Sequence, residues 1–273
     1  SCSFQVGVDV PVTTPFGNYE NKTSLISTVV GGRTLVGFPA TDTLNVVPVP
    51  PVFSSAFSPA DIPLNGTSTL TFTINNQGSR IDATGVTFSG NLPEGMLIAA
   101  SPGASSTCGG VITAQAGSNN FSFSGGTIVA GQVCEVTIDV TGQTLGDLVC
   151  TSENLVSSLG DSGTASTTLT VNPPPAFTMS FGPEAINAGQ ISTLTFVIDN
   201  SGSQLAATNL NLSHELPAGL VLANPSNATT TCQGGTLIAI SGTDQVSYSG
   251  GTVPAGQTCI VTVGVTTNEG GDY

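Results

Sequence analysis

The chain is written twice. SFSGGTIVAGQVC (Ser122 to Cys134) returns as SYSGGTVPAGQTC (Ser247 to Cys259). FSPADIPLNGTSTLTFTINNQGS, starting at Phe57, returns as FGPEAINAGQISTLTFVIDNSGS, starting at Phe181, a shift of 124 positions. Between these blocks NLPEGMLIA (Asn91 to Ala99) pairs with ELPAGLVLA (Glu215 to Ala223), and Cys108 with Cys232. A period near 124 residues is that of a tandem array whose unit is large enough to close its own core.

Inside each copy the apolar positions have a period of two. Leu70, Phe72 and Ile74 alternate with Thr69, Thr71 and Thr73, and Leu194, Phe196 and Ile198 repeat the arrangement. Cys134, Val136, Ile138 and Val140 point one way and Glu135, Thr137 and Asp139 the other. Such alternation buries one face of a strand and wets the other. Thr, Ser, Gly, Val and Ala dominate, which is the vocabulary of strands and turns. NNQGS, LPEG, SGGT, AGQ and GDSG read as the turns between strands. The pattern predicts an all-β fold of tandem immunoglobulin-like antiparallel β-sandwiches, with seven or eight strands in each.

The repeat also divides the chain. SCSFQVGVDV resembles the strands that begin at Cys134 and Cys259, and TDTLNVVPVPP resembles STTLTVNPPP. Residues 1–51 are therefore expected to be the C-terminal part of a first repeat, 52–175 a complete repeat, and 176–273 a third repeat lacking its last strands. Both termini then fall inside domains, and two readings stay open. The sequence is a window on a longer repetitive chain, or neighbouring subunits complete each other's half domains by strand addition. VVPVPPV (Val46 to Val52) and VNPPPA (Val171 to Ala176) join the repeats, and their prolines favour a stiff, extended connection. A semi-rigid rod is expected.

Only Lys22, Arg33 and Arg80 oppose 17 acidic residues, for a net charge of −14. That balance excludes nucleic acid as a partner and acts mainly on solubility. No apolar run reaches the length of a membrane span and no secretory leader opens the sequence, so no membrane insertion is expected.

Six cysteines without a CxxC pair argue for disulfides, and hence for an extracellular or cell-surface location, over zinc or a redox motif. Cys108 with Cys134 and Cys232 with Cys259 are the expected pairs, because each lies within one repeat and recurs in the next. Cys2 corresponds to the second member of such a pair, with its partner expected in the absent front half. Cys150 has no counterpart, since Asn21 occupies its place in the first fragment. It is either a buried thiol or a crosslink to Cys2 or to another chain.

Candidate reactive groups are few. GDSG (Gly160 to Gly163) is the string around the nucleophile of trypsin-like proteases, but the single histidine, His214, lies in another repeat, and that chemistry needs an adjacent base and aspartate. The first fragment has VVGGRT at the same turn, so GDSG reads as a hairpin connection. SGGT lacks the lysine and helix of a phosphate loop and reads as a tight turn. His214 alone reads as a rim residue rather than a metal ligand. No acidic spacing matches a calcium loop or a glycosidase pair. Lys22 is the one lysine in the chain, too few for an isopeptide crosslink in every repeat. Catalytic, cofactor and metal sites are therefore not expected. Asn21, Asn65, Asn120, Asn211 and Asn227 lie in N-x-S/T sequons and are candidate glycosylation acceptors.

LPEGM and LPAGL after a TFTINNQGS or TFVIDNSGS strand, followed by STC and SGGT..AGQ.C, resemble the bacterial surface repeat called domain of unknown function eleven. The resemblance covers essentially the whole chain. It implies immunoglobulin-like sandwiches strung in tandem in large secreted or surface proteins, with structural or adhesive roles. Members of that family often carry an Asp ahead of the LP turn, where this chain has Gly90-Asn91 and His214-Glu215, so no role of that acid is carried over.

The function expected is that of a non-catalytic structural repeat of an extracellular fibre, stalk or surface layer. Its partners would be neighbouring copies of the same repeat or subunit. With almost no lysine to guard them, the Thr- and Ser-rich strand edges are open to pairing. The alternative is an adhesin or carbohydrate-binding module contacting a glycan or surface ligand. Its aromatic platform would have to come from Phe and from Tyr19, Tyr248 and Tyr273, which packing explains better.

Overall fold

The computed structural model describes residues 3–11 and 13–273. Cys2 lies outside the described residues, so its pairing is not placed. The first strands are β1 (Gly17–Lys22), β2 (Ser27–Val30), β3 (Arg33–Val36) and β4 (Thr41–Val46). Then come β5 (Val52–Ser58), β6 (Asp61–Pro63), β7 (Thr67–Asn75), β8 (Ala83–Asn91), β9 (Met96–Ile98), β10 (Ser105–Ser106) and β11 (Val111–Ala114). They continue with β12 (Asn120–Ile128), β13 (Val133–Gly142), β14 (Gly146–Thr151), β15 (Val156–Ser157), β16 (Gly160–Asp161) and β17 (Ser166–Asn172). The last are β18 (Ala176–Gly182), β19 (Ile191–Asp199), β20 (Ala207–Glu215), β21 (Val221–Leu222), β22 (Thr229–Thr230), β23 (Gln233–Ala239), β24 (Gln245–Val253) and β25 (Thr258–Thr266).

The fold is all-β, and the strands form antiparallel sandwiches. One core runs from Phe53 to Val171 and a second from Leu194 to Val265. Around the first, β10-β13-β7-β5 form one sheet and β11-β12-β8-β15-β16 the facing one, with β14-β17-β6 alongside. Around the second, β18-β19-β25-β21 face β20-β24-β23. The strands β5 to β17 outnumber the seven or eight expected, because β6, β9, β10, β15 and β16, of two or three residues each, stand beside the longer strands. One pairing is parallel, β17 on β6, with Val171 opposite Ile62. Residues 3–11, whose sequence repeats β13, carry no strand. β13 exists because β7 and β9 pair with it, and an extended segment without such neighbours has no ladder to join.

Alternation in the sequence becomes burial. Leu70, Phe72 and Ile74 are closed to solvent, as are Val136, Ile138 and Val140 on the adjoining strand. Phe72 is the hub of the first core. Its ring centroid lies 5.7 Å from Phe53, with which it stacks, and 4.9 Å from Phe88 and 5.2 Å from Phe121, to which it is tilted, distances at which rings attract beyond simple burial.

The NNQGS and DNSGS segments hold more than a turn. Asn76 is buried; its Nδ2 donates to Ile81 O at 3.0 Å and Ile128 O at 3.2 Å, and its N–H donates to Gln132 O at 2.9 Å. Asn200 repeats this, with Nδ2 donating to Leu205 O at 2.8 Å and Pro254 O at 3.1 Å, and N–H to Gln257 O at 2.8 Å. Each asparagine thus ties the end of one sheet to the turn opening the facing strand. Removing a buried donor orphans its carbonyls, each a loss of about 1–3 kcal/mol. Asn200→Ala is expected to destabilise the second sandwich by about 2 kcal/mol, read as a lower urea midpoint at unchanged slope.

Candidate functional site

The densest constellation shared by the two cores is a cystine beside a ring slot. Cys108 and Cys134 are joined with Cα atoms 5.2 Å apart, and Cys232 and Cys259 with Cα atoms 4.9 Å apart. Each bridge ties the segment ahead of the edge strand β11 or β23 to β13 or β25, whose inward rows the second cysteine opens. SGGT precedes the second cysteine and lies within a strand, β12 or β24. Gly125 (φ 77°) sits at a shift of register between β12 and β8, a β-bulge. The tight turn expected at SGGT is therefore corrected.

The second glycine of SGGT serves the ring three residues earlier in both copies. A β-carbon on Gly126 would stand 2.6 Å from Phe123, and one on Gly110 2.9 Å from the same ring. The Tyr248 ring lies in the matching slot between Gly235 and Gly251, and its hydroxyl donates to Gly234 O at 2.8 Å. Glycine is demanded because a flat ring occupies the space a side chain would fill. Sequence reasoning missed this slot, although its signal, aromatic-Ser-Gly-Gly after Cys-(x)-Gly-Gly, stands in both copies. The arrangement is suited to rigidity and presents no nucleophile.

The other candidate residues lie apart. Cys150, on β14, is a buried free thiol, and burial pushes its pKa up to about 11. Its neutral form is the one the fold favours, so between pH 9 and about 11 the unfolded thiol ionises while the folded one does not. Stability attributable to this group falls as pH rises through that window. Because thiolate is the reacting species, Cys150 is expected to label with a maleimide or aromatic disulfide at pH 8 at least about a hundredfold more slowly in the folded protein than in denaturant. Equal rates would contradict its burial.

The hairpin connection expected at GDSG is corrected: the turn between β15 and β16 is Ser158-Leu159, and Gly160-Asp161 form the second strand, with Gly160 at φ 116° and Gly163 at φ 75°. Asp161 accepts from Gly163 N at 2.7 Å and from Asn154 Nδ2 at 2.7 Å. Its carboxylate closes the hairpin and orients no imidazole. His214 lies on β20, half-buried, with its ring 5.4 Å from Phe196 and nearly edge-on. Its counterpart Gly90 lies under the ring of Phe121, so imidazole and phenyl exchange places between the copies. Lys22 is exposed on β1.

Several acids are engaged separately by neighbouring donors. Asp139 accepts from Thr69 Oγ1 at 2.6 Å, Asp147 from Thr170 Oγ1 at 2.8 Å and Asp82 from Ala130 N at 2.8 Å. Hydrogen bonds from Ser201, then from Thr258, hold the Asp199 carboxyl below its ordinary pKa. Among the described residues no group of three or more His, Cys, Asp or Glu is placed to hold a metal ion. Asn21, Asn65, Asn120, Asn211 and Asn227 are all exposed.

Asn172, where the first sandwich meets the proline linker, completes the picture. It is buried; its backbone O accepts from Leu64 N at 3.1 Å, and its Nδ2 donates to Ile62 O at 3.4 Å. Its Oδ1 accepts from Gln204 N of the second sandwich at 2.6 Å. One side chain thus latches both units across three prolines.

A family described as "Domain of unknown function (DUF7933)" matches residues 51–171 and again 175–273. No curated protein matches the chain. Among solved structures, the C-terminal domain of the AgI/II polypeptide BspA of Streptococcus agalactiae is similar, at TM-score 0.50 and 9% identity over 81% of this chain and 92% of that one. The type II cohesin dyad of the adaptor ScaA scaffoldin of Acetivibrio cellulolyticus aligns at TM-score 0.32 and 11% identity, over 80% of this chain and 85% of that one. The collagen adhesin CNA of S. aureus aligns at 0.26 and 12%, over 80% and 82%. The likeness to BspA is one of fold; at their scores the other two carry no argument.

Proposed function

Since the chain belongs to the DUF7933 family, we propose that it is a non-catalytic structural repeat of an extracellular fibre, stalk or surface layer, related to the domain-of-unknown-function-eleven type of bacterial surface repeat. In this reading 52–175 is a complete brick, 1–51 the back end of another and 176–273 the front part of a third, and neighbouring bricks are the partners. The observation that carries it is the junction. Asn172 binds Ile62 and Leu64 on one side and Gln204 on the other, beside prolines that already restrict the backbone. A connection built this way transmits orientation from brick to brick. Supporting it, the groups invested in each brick are staples: a cystine, a ring slot and a buried asparagine.

The test is negative-stain imaging of the purified chain at rising concentration. A polymer with a regular axial spacing is the expected result. Dispersed short rods that bind glycans would overturn it in favour of an adhesin.

A further inference from the structure

The 52–175 brick is entered and left at opposite poles. β5 begins with Val52 opposite Asn75, and β13 begins with Val133 opposite the same residue, so these three mark one pole. At the other pole β13 ends with Thr141 opposite Thr67, and just beyond it Gly142 N donates to Gly66 O at 3.2 Å and Asn65 N to Gly142 O at 2.8 Å. Asn172, the last residue of β17, lies at this second pole, since its O accepts from Leu64 N at 3.1 Å. One proline linker therefore meets the brick at each pole.

Between these points the first and last parts of the brick are joined directly. β6 runs parallel to β17, with Asp61, Ile62 and Pro63 opposite Thr170, Val171 and Asn172. Thr170 N donates to Ala60 O at 2.9 Å on one side of the pair, and the bond from Leu64 N to Asn172 O closes the other. Asn172 Nδ2 adds a side-chain bond to Ile62 O at 3.4 Å. Ahead of β6, Ser68 Oγ donates to Pro59 O at 2.6 Å, which pins the approach to β7. The pair is packed dry: Ile62 and Val171 are each 1% exposed, and a β-carbon on Gly142 would collide with both. Little room is left for water to compete for these bonds.

The direction of loading follows from the topology. Tension on the two linkers pulls β5, and β6 behind it, toward the first pole, and pulls β17 toward the second. Parallel strands moved in opposite senses along their axes are sheared, and the bonds that cross between them share the force and fail together. A strand peeled from one end loses its bonds singly. We propose that the β6–β17 pair is a shear clamp that gives the 52–175 brick a resistance to tension out of proportion to its three paired positions, and that Asn172 is its lock. This rests on the structural reading above and adds what the repeat does there: it bears force along the rod.

Single-molecule pulling on the full chain tests it. In a Cys2→Ser background, with Cys150 protected by burial, Val47→Cys and Pro174→Cys carry the two handles, so that only the 52–175 brick is loaded. Leu64→Pro removes the donor to Asn172 O and is expected to lower the rupture force by about half. Asn172→Ala keeps every backbone bond and is expected to lower it by about a quarter. Ile128→Ala empties a buried site on β12, in the facing sheet. It should lower the urea midpoint more than either, yet leave the rupture force within about a tenth of the parent's, because the contacts around it are still formed when the clamp gives way. Rupture forces that simply follow urea stability across the three variants would overturn the clamp, and so would unchanged forces in Leu64→Pro and Asn172→Ala. Polymers of bricks whose force is insensitive to these two changes would leave the structural reading standing without the clamp. A clamp found in chains that never polymerise would overturn the structural reading alone.

Discussion

Phe72→Ala should cost the first sandwich about 4 kcal/mol, the range for emptying a fully packed phenyl site. Phe72 is closed to solvent and its ring touches those of Phe53, Phe88 and Phe121. These neighbours come from β5, β8 and β12, so collapse around the void would have to move three strands in two sheets at once. The cavity should therefore persist, and the loss should approach the upper part of the range. Urea unfolding followed by tyrosine-independent circular dichroism measures it. A loss under about 1.5 kcal/mol would mean that the rings repack freely. The second sandwich, with its own core around Phe196 and Tyr248, should unfold unchanged.

Opening the staple should cost nearly as much. Cys134→Ser releases a bridge spanning 26 residues, for which the chain-entropy treatment gives about 3.5 kcal/mol. The Cys108 side chain packs against the slot that holds Phe123, since a β-carbon on Gly126 would lie 3.5 Å from Cys108 Cβ. Loosening the bridge therefore loosens the ring, and the loss should not fall far below the entropic figure. In calorimetry the first transition should drop by roughly 10–15 °C. Cys259→Ser should do the same to the second. No shift beyond about 2 °C in either variant would show that the ladders alone fix these segments.

Strand alternation was legible in the sequence because each sheet has one dry face: Leu70, Phe72 and Ile74 show it without help. The junction prolines were equally plain. Asn76 and Asn200 were not, because an Asn before Ser-Gly or Gln-Gly has the composition of an ordinary turn, and only the fold brings the carbonyls of Ile128 or Pro254 to it. SGGT misled for the same reason. Paired glycines suggest a reversal locally, while the ring of Phe123 or Tyr248 that requires them becomes visible only once strand and bulge exist. His214 illustrates a third limit. It trades places with a phenyl group on the facing strand, and such an exchange of volume leaves no mark on either strand alone.

The position of the staple sets how far a brick can stretch. When the chain is drawn from both ends, the residues between Cys108 and Cys134, a separation of 26, stay knotted behind a covalent bond. Each failing brick therefore pays out roughly 90 Å less contour than its residue count allows. A tether made of such units yields in short, early-arrested steps, and a thiol in the surroundings would lengthen every one of them.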